Sequence, residues 1–127
     1  MFLQHFAVMK GINIIMTPKW TKSLADVLGY QTQEITKISP RTGNEYQTDS
    51  IAVLKVFSTG SIEALADDKY RYSVVDPTKN LEYAIKTSNK VDTKFGNVLL
   101  FRNVVGGATN SGGWYSADSV EVVQKNA

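Results

Sequence analysis

The sequence predicts a small β-rich domain: a mixed antiparallel sheet or partly closed barrel of about six or seven strands, with one or two short helices at its ends. Short runs rich in Val, Ile, Tyr and Thr recur along the chain between turn-forming residues, which is typical of strands. Most connections are short, and strands do not alternate regularly with helices. The 127 residues suit one domain. We expect roughly the first ten residues to be loosely held.

The first elements are a short strand and a helix. Gly11–Met16 is rich in β-branched residues and predicts the strand. Thr17 can act as N-cap of a helix over Pro18–Leu28, because proline suits the first helical position. Gly29 is a natural stop. One apolar face of this helix would carry Trp20, Leu24, Val27 and Leu28.

A long hairpin and a second short helix are expected next. Tyr30–Ser39 has the composition of a strand with one wet face, and Pro40–Asn44 is a strong turn signal. Glu45–Ser58 then resumes as the second strand of the hairpin. Ser61 can cap a helix of at most two turns over Ile62–Asp68, since Ala, Leu and Glu favour helix.

Two alternating strands follow. Lys69–Val75 and Leu81–Thr87 both alternate large apolar with polar residues, and Asp76–Asn80 breaks the pattern between them. Ser88–Lys94 is polar and predicts a loop. The alternation places Tyr70, Tyr72 and Val74 on one face of the first strand, and Leu81, Tyr83 and Ile85 on one face of the second.

The carboxyl-terminal stretch Phe95–Val123 predicts the closing hairpin of the barrel. An apolar run is followed by the glycine-rich segment Gly106–Gly113 and then by a second strand-like run. A phosphate loop would need a lysine at the end of the glycine segment and a helix after it, and neither is present. We favour a flexible hairpin loop. The alternative is that the glycines let backbone amides approach a phosphate or base of a partner.

Composition excludes several kinds of chemistry. The absence of cysteine excludes disulfides, thiolate catalysis and cysteine-ligated metals, and His5 is the only histidine. Asp67-Asp68 is more simply a solvated helix end than a metal site. We therefore expect no enzyme activity, no cofactor and no metal. The amino terminus carries no signal-peptide or membrane-span pattern, so we expect a soluble, cytoplasmic protein; Met9 and Met16 are alternative translation starts.

Basic and aromatic residues are interleaved in the second half of the chain. Between Lys79 and Arg102, five basic residues face two acidic ones, an excess larger than the net charge of +2 of the whole chain. Cations beside aromatic rings suit single-stranded nucleic acid, although the tyrosines could equally be core residues and the lysines a solvated face. The nucleic-acid hypothesis assigns phosphate contacts to Lys69, Arg71, Lys86, Lys90, Lys94 and Arg102, and base stacking to Trp114 or Tyr115.

Three segments carry a resemblance to a known family: Ser73–Pro77 (SVVDP), Phe95–Thr109 (FGNVLLFRNVVGGAT) and Gly113–Val123 (GWYSADSVEVV). They resemble small proteins carried on conjugative elements of Gram-positive bacteria, and most of all the PrgU-like regulators of pheromone-responsive enterococcal conjugative plasmids. A looser resemblance, through a strand ending in Asp-Pro and a W-Y-x-A-D-x-V pattern, is to small conjugation proteins that serve as helicase processivity factors. No catalytic motif is part of either resemblance.

The resemblance implies a PUA-like pseudo-barrel and a role in limiting the expression of plasmid-encoded surface proteins through RNA. It transfers no RNA-contacting residue to this chain. The hypothesis is therefore a non-enzymatic RNA-binding regulator without membrane contact. The alternative is a protein-interaction or single-stranded-DNA accessory module of conjugation machinery, with a protein partner in that system.

Overall fold

A computed structural model describes residues 16–18, 20, 23–110 and 112–124. This part of the chain forms a small β-barrel with seven strands and one short α-helix, which confirms the predicted β-rich barrel and strand number. The helix is α1 (Leu24–Leu28). The strands are β1 (Gln33–Ile38), β2 (Glu45–Ala64), β3 (Tyr70–Asp76), β4 (Leu81–Thr87), β5 (Val98–Thr109), β6 (Gly112–Ser116) and β7 (Ser119–Gln124).

The barrel is a closed ring of five strands in the order β2-β3-β4-β6-β5, with β5 returning to β2. Every pairing in the ring is antiparallel except that of β4 with β6, which is parallel. β1 extends the sheet from the first part of β2, and β7 pairs with β5 beside β6. β2 makes closure feasible, since its 20 residues pair in turn with β1, β5 and β3.

The predicted helix over Ile62–Asp68 is wrong. β2 continues to Ala64, with Ile62 opposite Tyr72 on β3, and a tight turn follows at Ala66–Asp68, where Asp67 and Asp68 have positive φ. Pairing with β3 satisfies the backbone of these residues and half-buries Ile62, so it outweighs their intrinsic helix propensity.

The first helix is shorter than predicted. Pro18 and Trp20 are described and are not helical, and the helix starts at Leu24. Ser23, not Thr17, is the N-cap: its backbone is extended and its hydroxyl accepts from the Asp26 amide at 3.3 Å. Gly29 ends the helix with φ at 79°, as expected for a glycine cap.

Part of the predicted strand Gly11–Met16 lies outside the described residues, as do His5 and residues 19, 21 and 22. Met16 itself is described and makes a parallel bridge with Leu81 on β4. The predicted hairpin around Pro40–Asn44 is confirmed as β1 and β2.

The core fills the barrel interior with the residues that the alternation predicted. Tyr72 and Val74 of β3 and Ile85 of β4 are fully buried, while Arg71 and Lys86 point to the opposite, outer face. The Tyr72 hydroxyl donates to the Asn89 carbonyl and accepts from the Val91 amide, each at 2.9 Å, which fixes the loop between β4 and β5. The remaining wholly buried apolar residues include Leu28, Leu54, Val56, Leu99, Phe101 and Val104.

The glycine-rich segment is not a flexible loop, which corrects that prediction. β5 runs through Gly106 and Gly107 to Thr109, which pairs with Gly112, the first residue of β6. Gly106 pairs with Tyr115 and Gly107 with Trp114. Both glycines therefore lie within the β5–β6 ladder, in a strand and not in a loop.

Candidate functional site

The seam between β4 and β6 is the weakest point of the barrel wall. Within the described residues, one pair, Lys86 with Ser116, joins these strands, and the Ala117 amide donates to the Lys86 carbonyl at 2.9 Å. At the other end of β4, the seam is occupied by Met16, whose carbonyl accepts from the Glu82 amide at 2.9 Å. Between Glu82 and Lys86, the described residues therefore leave a gap in the pairing.

Ala84 faces this gap with its backbone. In a strand, residues two apart present their N–H and C=O groups to the same edge. The Glu82 amide and the Lys86 carbonyl both bond across the seam, so the N–H and C=O of Ala84, midway between them, point there too. Among the described residues, no strand pairing on that side of β4 reaches Ala84.

A pocket of about 460 Å³ opens at this gap. The floor and walls come from β4, from β6 and from Thr17 and Pro18, and Arg71 reaches the pocket from β3. Its lining residues are Thr17, Pro18, Arg71, Glu82, Tyr83, Ala84, Lys86, Gly112, Gly113, Trp114 and Tyr115. Arg71, Lys86, Trp114 and Tyr115, four of the residues predicted to contact nucleic acid, are thus brought together.

Trp114 presents an aromatic surface at the pocket. Its indole lies against Gly107 on the neighbouring strand: a Cβ atom placed on Gly107 would lie 2.5 Å from Nε1 and 3.0 Å from Cε2 of Trp114. The side chain is nevertheless 46% exposed. Gly107 is therefore required for close packing of the indole, and much of the indole surface remains accessible.

Tyr115 is a core residue at the base of the pocket. It is 6% exposed, its hydroxyl accepts from Trp20 Nε1 at 2.9 Å, and its ring centroid lies 5.0 Å from that of Tyr83. Burial raises the pKa of Tyr115, an effect that the hydrogen bond from Trp20 partly offsets. Of the two aromatic residues predicted to stack on a base, Trp114 has the accessible ring.

Tyr83 is buried beside Tyr115. Its hydroxyl has no hydrogen-bond partner among the described residues. Burial is the main factor that raises the pKa of Tyr83, and the charges of Asp76, Tyr30 and Tyr115 add to it. Asp76 is 3% exposed and accepts a hydrogen bond from the Tyr30 hydroxyl. The hydroxyls of Tyr83 and Tyr115 below the pocket are therefore uncharged at neutral pH.

The cations of the pocket lie on the outer faces of neighbouring strands. Arg71 and Lys86 are cross-strand partners on β3 and β4. Arg71 Nη1 also makes a 2.8 Å ion pair with Glu63 on β2, in which both side chains are about half exposed. The charged residues that line the pocket are Arg71, Lys86 and Glu82, so its formal net charge is +1. Exposed ion pairs are weak, so a phosphate can compete for Arg71.

The other four predicted basic residues do not line this pocket. Lys69 immediately precedes β3, two residues from Arg71, and Lys90 and Lys94 lie in the loop between β4 and β5. Arg102 lies on β5 and forms a 3.2 Å ion pair with Glu121 of β7. The six basic residues therefore divide among three regions of the surface, and the β3–β4 group adjoins both the exposed ring of Trp114 and the pocket.

Sequence reasoning missed Ala84, which carries no functional group and lines the pocket only because of how β4 and β6 are placed. Gly112 and Gly113 also line it, and they belong to the glycine-rich segment that the alternative hypothesis placed near a partner. Glu82 could have been found, because it shares the outer face of Leu81–Thr87 with Lys86. Thr17 was predicted as the N-cap and Pro18 as the first residue of a helix; neither is helical, and both line the pocket.

The described residues contain no group of three or more His, Cys, Asp or Glu side chains placed to bind a metal ion. None of the helical residues described forms a helix long and apolar enough to cross a membrane. Comparison of the chain with protein-family models, with curated proteins and with solved structures gives no match.

Proposed function

We propose that this chain is a non-enzymatic, PUA-like RNA-binding regulator linked to a conjugative plasmid, where it limits the expression of plasmid-encoded surface proteins. The observation that carries the RNA-binding part is the convergence of Arg71, Lys86 and the exposed ring of Trp114 on one 460 Å³ pocket. The biological setting rests on the resemblance of the segments around Asp76-Pro77 and Phe95–Val123 to PrgU-like regulators.

Single-stranded RNA suits this arrangement better than a duplex does. Proteins that bind single strands combine cations that follow the backbone with aromatic rings on which unpaired bases stack. Arg71 and Lys86 stand side by side on adjacent strands, and Trp114 lines the same cavity. A barrel surface with one recessed seam offers a single strand both contacts within a short span.

The test is a salt titration of affinity for a fluorescent single-stranded RNA, measured by anisotropy. Affinity should fall as salt rises, because each phosphate contact releases counterions. Arg71→Gln and Lys86→Gln should each weaken binding. Each should also make the negative slope of log K against log salt less steep, by about 0.7 per lost contact. Glu63→Gln, which frees Arg71 from its ion pair, should strengthen binding.

Matched controls separate the pocket from the general surface charge. Lys55→Gln removes an exposed cation on the outer face of β2, away from the pocket, and should leave affinity nearly unchanged. Arg102→Gln tests the wider predicted set. DNA of the same sequence measures the preference for RNA. Absence of binding at low salt, or an affinity that does not depend on salt, would refute the proposal.

A further inference from the structure

We infer that the seam pocket holds one unstacked base of the bound strand, with the edge of the base on the Ala84 backbone and its face on Trp114. This inference rests on the proposed function and deepens it: it assigns a base-reading contact within a surface otherwise argued from charge. It concerns a single nucleotide and requires no catalytic step.

The size and position of the pocket fit such an occupant. Cavities that enclose small ligands measure about 300–1,000 Å³, and this one measures about 460 Å³. It lies where the barrel wall is incomplete, between the bridge at Lys86 and the bridge at Met16, so a flat group can enter edge-on between β4 and β6. Gly112 and Gly113 carry no side chain, so the β6 side of the opening is not obstructed by one at these two positions.

The Ala84 backbone supplies the edge recognition. Its N–H and C=O point into the gap side by side, a donor next to an acceptor, with no strand partner on that side among the described residues. Unpaired bases carry donors and acceptors on adjacent atoms of their Watson–Crick and Hoogsteen edges, and these edges are what RNA-binding proteins read. A base can therefore bond to a donor and an acceptor that no strand pairing among the described residues engages. This matters because unpaired backbone groups are costly when they are desolvated.

Trp114 and the two cations place the rest of the same nucleotide. The indole is backed by Gly107 and is 46% exposed, so a base can stack on its accessible surface. Stacking of a base on an aromatic side chain is worth about 1–3 kcal/mol. Arg71 and Lys86 line the same pocket from its outer side, within reach of the phosphate attached to a base inside.

The test compares two short ligands of equal charge: a hexamer of RNA and the same sugar–phosphate hexamer without bases. The wild-type protein should bind the base-bearing hexamer about tenfold more tightly, as expected for one stacked base. Ala84→Ile fills the pocket with a residue that strands favour and should bring this ratio close to one, without changing the affinity for the abasic hexamer. Trp114→Ala should do the same.

A control variant and a stability measurement make the outcome decisive. Ala52→Ile enlarges an exposed alanine on β2, away from the pocket, and should keep the wild-type ratio. Thermal unfolding of each variant checks that the fold persists, and Ala84→Ile carries the test if Trp114→Ala is destabilised by exposing Gly107. Uniform hexamers of each base then measure which base the pocket prefers.

The possible results separate the inference from the function on which it rests. No affinity for either hexamer at low salt would overturn both. Salt-dependent binding with equal affinity for the two hexamers would overturn the base pocket and leave RNA binding standing. A wild-type preference that Ala84→Ile and Trp114→Ala both leave intact would mean that the base is read elsewhere, and would also overturn the inference.

Discussion

The indole Nε1 of Trp20 donates a hydrogen bond of 2.9 Å to the hydroxyl of Tyr115, 95 positions further along the chain. The two rings also stack, with their centroids 6.2 Å apart and their planes at 27°. β4 and β6 share one described backbone pair, so side-chain contacts must supply much of the cohesion across this part of the wall. The pair of Trp20 and Tyr115 ties the chain before α1 to β6, and Tyr115 lines the pocket.

The Trp20–Tyr115 bond should contribute to the free energy of unfolding. Tyr115→Phe keeps the ring and removes the acceptor, so we expect a loss of about 1 kcal/mol, measured by urea unfolding. Trp20→Phe should lose more, because it also removes part of the stacked surface. In a double-mutant cycle the two losses should be less than additive. Tyr46→Phe, at a tyrosine that is 42% exposed, is the control and should change little; strict additivity of the pair would contradict the coupling.

Gly113 should tolerate no side chain. A Cβ atom there would lie 2.3 Å from Trp20 Nε1 and 2.8 Å from the Tyr115 hydroxyl oxygen, closer than real contacts allow. Gly113→Ala should therefore lower the free energy of unfolding by about 1–3 kcal/mol, the usual cost of overpacking. The same change made in a Trp20→Ala background should cost much less, since the obstructing indole is gone. An equal cost in both backgrounds would show that the clash is not the cause.

The strands of the barrel could be predicted where their alternation is strong. Tyr70, Tyr72 and Val74 occur at a spacing of two, and that period alone assigns them to one buried face. Closure of the ring could not be predicted in the same way. It depends on one described pair between Lys86 and Ser116, and neither residue carries a pattern that would identify its partner.

The glycines show why local signals were insufficient. Gly106 and Gly107 are typical of a loop when read alone, and only the register opposite Tyr115 and Trp114 shows that they accommodate aromatic rings within a strand. The same holds for the site. Arg71 and Lys86 were predicted from their charge, whereas the interest of Ala84 is that no described strand pairing reaches it on one side, which is a property of topology.

The bond from Tyr30 to the buried carboxylate of Asp76 should stabilise the fold in a pH-dependent way. Burial raises the pKa of Tyr30, and the hydrogen bond to Asp76 and its charge raise it further; Lys79 Nζ also lies 5.1 Å from the ring centroid. Tyr30→Phe leaves Asp76, which is 3% exposed, without this donor. At neutral pH the variant should lose about 1–3 kcal/mol of unfolding free energy.

The sign of the pH dependence follows from the raised pKa. An unfolded tyrosine ionises at about pH 10. The contribution of Tyr30 to the free energy of unfolding is therefore complete below that pH and is lost as pH rises from there toward the folded pKa. Unfolding of the wild type and of Tyr30→Phe, measured from about pH 8 to 11, should therefore show a difference that narrows above about pH 10. A difference that stays constant or widens would contradict the assigned pKa direction.

Asp118 should stabilise the fold at neutral pH and lose that effect in acid. Its carboxylate accepts from Lys37 Nζ at 3.1 Å and from Asn103 Nδ2 at 2.8 Å, which joins β1 to the turn before β7. Burial opposes ionisation, but the hydrogen bonds from Asn103 and Lys37 outweigh it and hold the pKa of Asp118 below its usual value. Because the folded pKa is the lower one, the contribution is present above the unfolded pKa of about 3.9 and disappears as pH falls through the folded value.

Urea unfolding of the wild type and of Asp118→Asn gives the measurement for this carboxylate. The variant should be less stable by at most about 1 kcal/mol near neutral pH, since the side chain is 50% exposed and solvent screens its charge. The difference should shrink below about pH 4. Lys37→Met removes one of the two donors to Asp118. Like Asp118→Asn, it should therefore make the free energy of unfolding depend less on pH in acid than that of the wild type. A difference between wild type and Asp118→Asn that is equal in acid and at neutral pH would show that the carboxylate charge does not stabilise the contact between β1 and the turn before β7.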